Sequence, residues 1–234
     1  MNTKIKIDEM DKKIKSLRKF NLIMGFLHFI QGAFMIAITF FVDTPGETYP
    51  VYSNYLTFNS SMGGLIADPQ KIGDIPLGIG VGIFLLLSAF AHFGLSTFGY
   101  TWYAKVLKKG MNPVRFYEYA LSSSLMIVLI GLLVGFNDIG GIILIFVVNA
   151  AMNLFGIMME YHNQYTNKVD WTAFIYGCIA GIAPWIVIFL YCAWTSGVAP
   201  LWRVPSGASI SIQSWASAGM GCCRAWSCSP AAAW

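Results

Sequence analysis

Charged side chains are scarce: Asp, Glu, Lys and Arg make up 11% of the 234 residues. A soluble domain carries about 25%, so a water-facing globular fold is excluded. Histidine occurs three times and cysteine five times. Neither recurs at a metal-ligand spacing, and no disulfide framework is implied. No nucleophile–base pair or phosphate loop of recognised spacing is present, so neither an enzyme nor a metal protein is expected. The glycine-rich LGIGVGIF at 77–84 reads as close helix packing instead. A net charge of only +4 gives no footprint for nucleic acid. Lysine is missing from every long apolar run and from the chain beyond Lys168.

What fills the sequence is apolar: 56% of residues are hydrophobic and mean hydropathy is +0.61. Continuous runs near 20 residues recur, each long enough to cross a ~30 Å hydrocarbon layer. In lipid the backbone must bond to itself, and unbroken runs without alternation select helices over a barrel. The sequence therefore predicts an all-α, multi-pass protein of the cell membrane in contact with lipid. Its spans fall at about 20–42, 76–100, 114–135, 140–159 and 172–194. The first run starts near Phe20 and is too long for a signal-peptide core.

Residues 1–19 hold seven Lys/Arg against Asp8, Glu9 and Asp11, with Ile7, Met10, Ile14 and Leu17 at helical spacing. They read either as an amphipathic helix on the membrane surface or as a solvated basic leader. Residues 43–75 form a polar loop in which Val51, Tyr52, Tyr55, Leu56 and Phe58 suggest a small hairpin. Pro76 suits the first turn of the second span, Asn112-Pro113 starts the third, and Asn137 to Gly141 make a tight turn. Pro184 lies inside the fifth span, where a kink is expected. Lys/Arg concentrate in the leader and in 101–115, and acids in 43–75 and at Asp138. That asymmetry predicts a cytoplasmic N-terminus.

The informative residues are polar ones inside the spans. Glu118 sits in VRFYEYALSSSLMIVLIGLLVG, 114–135, where a carboxylate costs ~2.5–3.5 kcal/mol on insertion scales and usually meets a partner. Counted at 1.5 Å per residue, His28, His92 and Glu118 all lie ~7–12 Å deep from the same side. Polar neighbours share their helix faces: Gln31 with His28, Ser88 and Ser96 with His92, Ser122 with Glu118. Asn149 and Asn153 repeat the spacing in the fourth span. Such a layer could bind a cation, relay protons, or act as counterion to a buried positive charge. Equally, lone histidines near helix ends are often interfacial, and a serine run can be packing glue. Met126, Met152, Phe155, Met158, Tyr176 and Trp185 could line an apolar pocket, or be plain core.

Five segments together resemble the heliorhodopsins: FLHFIQ around His28, LSAFAHF around His92, FYEYALSSSLMIVLI around Glu118, FVVNAAMNLFG around Asn149, and YGCIAGIAPWI in the fifth span. The likeness runs from about residue 15 to 195 in order and spacing. It implies a rhodopsin-like bundle, seven helices in the intact family, with an inverted, N-terminus-inside orientation. It also implies a retinal photoreceptor that is sensory and non-pumping, a homodimer, and a signalling partner of unknown identity. Glu118 would be the Schiff-base counterion, and His28, His92, Ser122 and Asn149 the polar network. Met126, Met152, Tyr176 and Trp185 would belong to the retinal pocket.

One departure stands out: the lysine that retinal requires on the seventh helix is absent. Residues 199–234 contain no 20-residue apolar run, four of the eight tryptophans, three of the five cysteines, and Leu201 as their one leucine. An out-of-frame end, with 196–234 replacing helices six and seven, explains that break; a divergent natural tail is the alternative. Without a cationic chromophore Glu118 is an uncompensated anion, and is expected to take up a proton or pair with a protonated His28 or His92. Two other functional classes stay open: a small proton or cation transporter using the His28/His92/Glu118 layer, and a membrane interaction protein packed through Gly177 and Gly181. The missing inverted repeat speaks against the transporter.

Overall fold

A computed structural model describes residues 2–41 and 48–195. The reading of 196–234 as an out-of-frame tail falls outside the described residues. By compactness the chain divides into Met1–Ile188 and Phe189–Trp234. Five helices are long and apolar enough to span a membrane: Met10–Phe41, Leu77–Ser96, Pro113–Leu133, Ile139–His162 and Thr172–Ala193.

The leader and the first span form one helix, α1 (Asn2–Phe41), in place of a surface helix followed by a span. Its buried residues explain the continuity. Ile14, Asn21, Gly25, His28 and Gly32 recur at near-3.5 spacing, so one stripe serves leader and span alike. Ile23, Phe26, Ile30 and Phe34 lie on the exposed side, as lipid-facing residues should. The stripe packs antiparallel on α2 (Leu77–Ser96). A Cβ at Gly25 would sit 3.0 Å from the Phe93 ring, and one at Gly32 would sit 3.1 Å from the Gly82 carbonyl oxygen. Polar contacts tie the leader end of the pair. Arg18 Nε donates to the carbonyl of Ser96 at 2.9 Å, its guanidinium lies 4.3 Å over the Tyr100 ring, and Lys108 pairs with Asp11 at 2.6 Å. The Ser96 carbonyl is an orphan of the last turn of α2, so Arg18 acts as its cap.

The loop after α1 holds more structure than expected. Strands β1 (Thr48–Ser53), β2 (Leu56–Asn59), β3 (Gly64–Ala67) and β4 (Gln70–Pro76) pair antiparallel as β1–β4 and β2–β3. Val51 to Phe58 thus do not pair among themselves; their partners lie later in the loop, in 64–67 and 70–76. The reason is where the chain reverses. Asn59 Oδ1 accepts from the backbone N–H of Ser61 at 3.0 Å, and Gly63 takes φ +63°, a conformation glycine adopts without steric cost. Pro76 closes β4 and occupies the N-cap position of α2.

The second span ends at Ser96, earlier than the apolar run suggests. Thr97 leaves helical geometry, and a short helix, α3 (Tyr100–Leu107), follows where a loop is expected. Helix α4 (Pro113–Leu133) begins with its proline. Just past its end Gly135 takes φ +88°, with Phe136 N–H on Gly131 O (2.9 Å) and Gly135 N–H on Leu132 O (3.0 Å), a glycine stop. Helix α5 (Ile139–His162) follows at once, and α6 (Thr172–Thr195) is helical on both sides of Pro184. Val51, Val128, Leu129, Leu132 and Ile142 form one buried cluster, which seats the hairpin on α4 and α5. Ile127, Ile145 and Ile188 form another among α4, α5 and α6.

Asp138 secures the α4–α5 turn and the hairpin together. Its Oδ2 accepts from Gly141 N–H at 2.8 Å, and its Oδ1 from Asn54 Nδ2 at 2.9 Å. Asp138→Ala is expected to cost about 1 kcal/mol as a lost N-cap, whereas Asp138→Asn should cost little. The Gly141 N–H, opposed by slight burial and aided by Asn54, holds the Asp138 carboxyl below its usual value. A carboxyl depressed in the fold stabilises above its unfolded pKa of about 3.9 and loses that contribution as pH falls through its lower folded value. The melting gap between wild type and Asp138→Ala should therefore be full at pH 7 and shrink below about pH 4. A gap constant from pH 7 to pH 3 would count against this cap.

Candidate functional site

The helix period fixes the first contact. Glu118 and Ser122 are one turn apart on α4, and Ser122 Oγ donates to Glu118 Oε1 at 2.9 Å. The second contact needs the fold: Ser88 Oγ of α2 donates to the same oxygen at 2.7 Å. One turn beyond Ser88 on α2 lies His92, whose ring stacks on that of His28 of α1, centroids 5.7 Å apart and planes at 17°. His28 and His92 are 7% and 4% exposed, so both imidazoles are buried. His28 Nδ1 has no hydrogen-bond partner among the described residues. Three helices thus bring His28 against His92 and Ser88 against Glu118, with His92 and Ser88 one turn apart on α2.

A second polar group extends the layer from α4 to α5. Asn149 Nδ2 donates to Ser123 Oγ at 2.9 Å and to Ser124 Oγ at 3.1 Å. Asn153 Nδ2 donates to Ser123 Oγ at 3.1 Å, and Ser123 in turn donates to the Tyr119 carbonyl at 2.6 Å. Ser122, Ser124 and Asn149 are all buried. The serine run therefore has two jobs: Ser122 faces the carboxylate, while Ser123 and Ser124 bind asparagines across the α4–α5 seam. Each donor used this way removes an unsatisfied polar group from lipid, which is costly to leave unpaired.

The apolar candidates are not brought to one surface. Tyr176 and Trp185 are 57% and 45% exposed. Nine residues apart, they lie about half a revolution apart on α6. Met126 lies half-buried on α4, one turn from Ser122. Met152 is used in helix packing: a Cβ at Gly177 would sit 3.1 Å from its carbonyl oxygen, and one at Gly181 would strike its sulfur. Gly177 and Gly181 do serve as the small-residue seam their spacing suggests.

Sequence reasoning missed a polar cluster at the leader end. Asn112 N–H donates to Glu160 Oε2 at 2.6 Å, joining the start of α4 to the end of α5. Tyr103 of α3 is buried beside it. Burial pushes its hydroxyl above the usual tyrosine value, with Asn112 and Arg115 opposing. The available signal was that Arg115 and Glu160 stand at matching ends of adjacent spans.

These features define the class: a helical, multi-pass membrane protein with a carboxylate and two stacked imidazoles held between its spans. The family model for heliorhodopsin matches residues 17–206, most of the chain. The chain belongs to the heliorhodopsin family, a family of microbial retinal proteins. A comparison with curated proteins finds no match. The matched range extends past residue 195, where the likeness read from the sequence stops.

The family implies retinal, and the residues present fit it only in part. Glu118, with one oxygen engaged by two serine hydroxyls, is a suitable anionic partner for a buried cation. Within these 234 residues no lysine follows Lys168 and none lies in the long apolar runs, so they supply no amine for covalent attachment. These residues therefore do not fit a covalently bound chromophore.

Proposed function

We propose that this protein, in a form that carries the retinal lysine, is a light-sensing, non-pumping protein of heliorhodopsin type, oriented with its N-terminus in the cytoplasm; the 234 residues as they stand would not form the Schiff base. In this reading Glu118 is the anionic half of the chromophore site, and His28, His92, Ser122 and Asn149 form the polar network around it. One observation carries the reading: Glu118 is held by donors from two helices, one turn along α2 from a buried histidine pair. A carboxylate needed only for packing would not call for such a layer, since insertion scales charge it ~2.5–3.5 kcal/mol. Orientation is supported by the lysines and arginines of the leader and of 105–115. The non-pumping part rests on the family alone, as does association into a homodimer.

The test uses the gene sequenced across codons 195–205 and expressed in whichever frame supplies a lysine-bearing seventh helix. With all-trans retinal this protein should show a visible absorption band, and Glu118→Gln should shift that band to the red. A folded, lysine-bearing protein with no visible band would end the proposal. Proton flux in liposomes without added retinal would instead favour the transporter reading.

A further inference from the structure

An open groove of about 350 Å³ lies where α2, α3 and α4 meet at the leader end, away from the Glu118 layer. Its floor is a helical stripe, Ala91, Gly94 and Leu95, continued by Phe98 in the turn after α2; Trp102 and Val114 form its walls. All of these side chains are apolar. Phe98 is 97% exposed and Trp102 52%. Gly94 borders open space, since a Cβ added there would meet nothing within 4 Å.

Position and charge say what suits it. The groove opens at the last turn of the span Leu77–Ser96, the level at which tryptophan meets lipid headgroups. Lys105 follows Trp102 by three residues on α3, so both point to one side of that helix. Residues 100–115 contain Lys105, Lys108, Lys109 and Arg115 and no acid. Lys108 is engaged by Asp11 at 2.6 Å. Among the described residues neither Lys105 nor Lys109 is paired with a carboxylate, and both are exposed. An apolar groove with exposed, unpaired lysines on the adjoining α3 segment matches an amphiphile with a negative head.

We propose that this groove binds one anionic phospholipid, with an acyl chain along Ala91, Gly94 and Phe98 and its phosphate on Lys105. The site is independent of retinal. It would anchor α3, and through Lys108 and Asp11 the leader of α1, to the headgroup layer.

The experiment uses the full chain in nanodiscs containing dibrominated phosphatidylglycerol or dibrominated phosphatidylcholine at equal mole fraction. Quenching of Trp102 is obtained as wild type minus Trp102→Phe. Phosphatidylglycerol should quench Trp102 about fivefold more effectively, the effect of one lysine near an anionic surface. Lys105→Gln should bring the ratio close to one. Gly94→Leu, which fills the groove and favours the helix, should reduce quenching by both lipids. Equal quenching in wild type, or a preference that survives Lys105→Gln, would overturn the proposal. So would Trp102 shielded from both lipids by self-association of the chain. Lys105 is exposed, so its variant tests the site even where Gly94→Leu fails to fold.

Discussion

A chain of these 234 residues, incubated with all-trans retinal, is expected to remain colourless. The reason is where the amines lie. On α1 the nearest lysine to the site is Lys19, exposed and roughly 14 Å along the helix from His28. Lys105, Lys108 and Lys109 lie in or just after α3, beyond the end of α2. Lys71, in the hairpin, pairs with Asp74 at 2.8 Å, and that bond raises its pKa. An amine kept protonated is a poor nucleophile. Lys168 is exposed between α5 and α6. Absorption should stay that of free retinal, and borohydride reduction followed by peptide mass spectrometry should place no retinyl group on a residue within the spans. A visible band that moves with Glu118→Gln in this chain would show that an amine reaches the Glu118 site after all. The contrast with the lysine-bearing protein is all or none, which makes it the sharpest result available.

The next largest effect should come from Gly32→Leu. Gly32 and Gly82 face each other where α1 crosses α2. A Cβ on Gly32 would lie 3.1 Å from the Gly82 carbonyl oxygen, and a Cβ on Gly82 would lie 3.2 Å from that of Gly32. The obstacle is backbone on both sides, so no rotamer change relieves it. Close approach through small residues is a main source of helix association in lipid. Overpacking such a seam costs about 1–3 kcal/mol; Gly32→Leu should fall at the top of that range and Gly32→Ala near the bottom. The damage should reach the site, because His28 lies one turn from Gly32 and stacks on His92 across the same seam. Unfolding titrations in mixed micelles, followed by circular dichroism, read the loss. Ile30→Leu, on the exposed side of α1, is the control and should change little. If Gly32→Leu cost no more than Ile30→Leu, the two helices would not depend on this contact.

Several features were legible because their causes are local. Apolar run length gave five spans, and Asn112-Pro113 marked a helix start through backbone chemistry that depends on a few residues. The 3.6-residue period put Ser122 beside Glu118. The hairpin was only half legible. The apolar residues that suggest it belong to β1 and β2, whereas β4, which pairs with β1, contains Gln70, Lys71 and Asp74, which read as loop. The end of the second span was misplaced because hydropathy continues through Phe98, while the helix stops at Thr97.

By itself, then, the sequence determined the membrane class, the helices and the residue types gathered at one depth, since each follows from hydropathy or spacing along a single segment. Only the tertiary structure decided which groups touch. Ser88 of α2 reaches Glu118 of α4, His28 of α1 stacks on His92, and Asn149 of α5 binds Ser123 and Ser124. Those pairings depend on how far each helix is rotated about its own axis. That rotation is set by seams such as Gly32 against Gly82 and Gly177 against Met152, where steric fit between distant segments leaves one arrangement that packs.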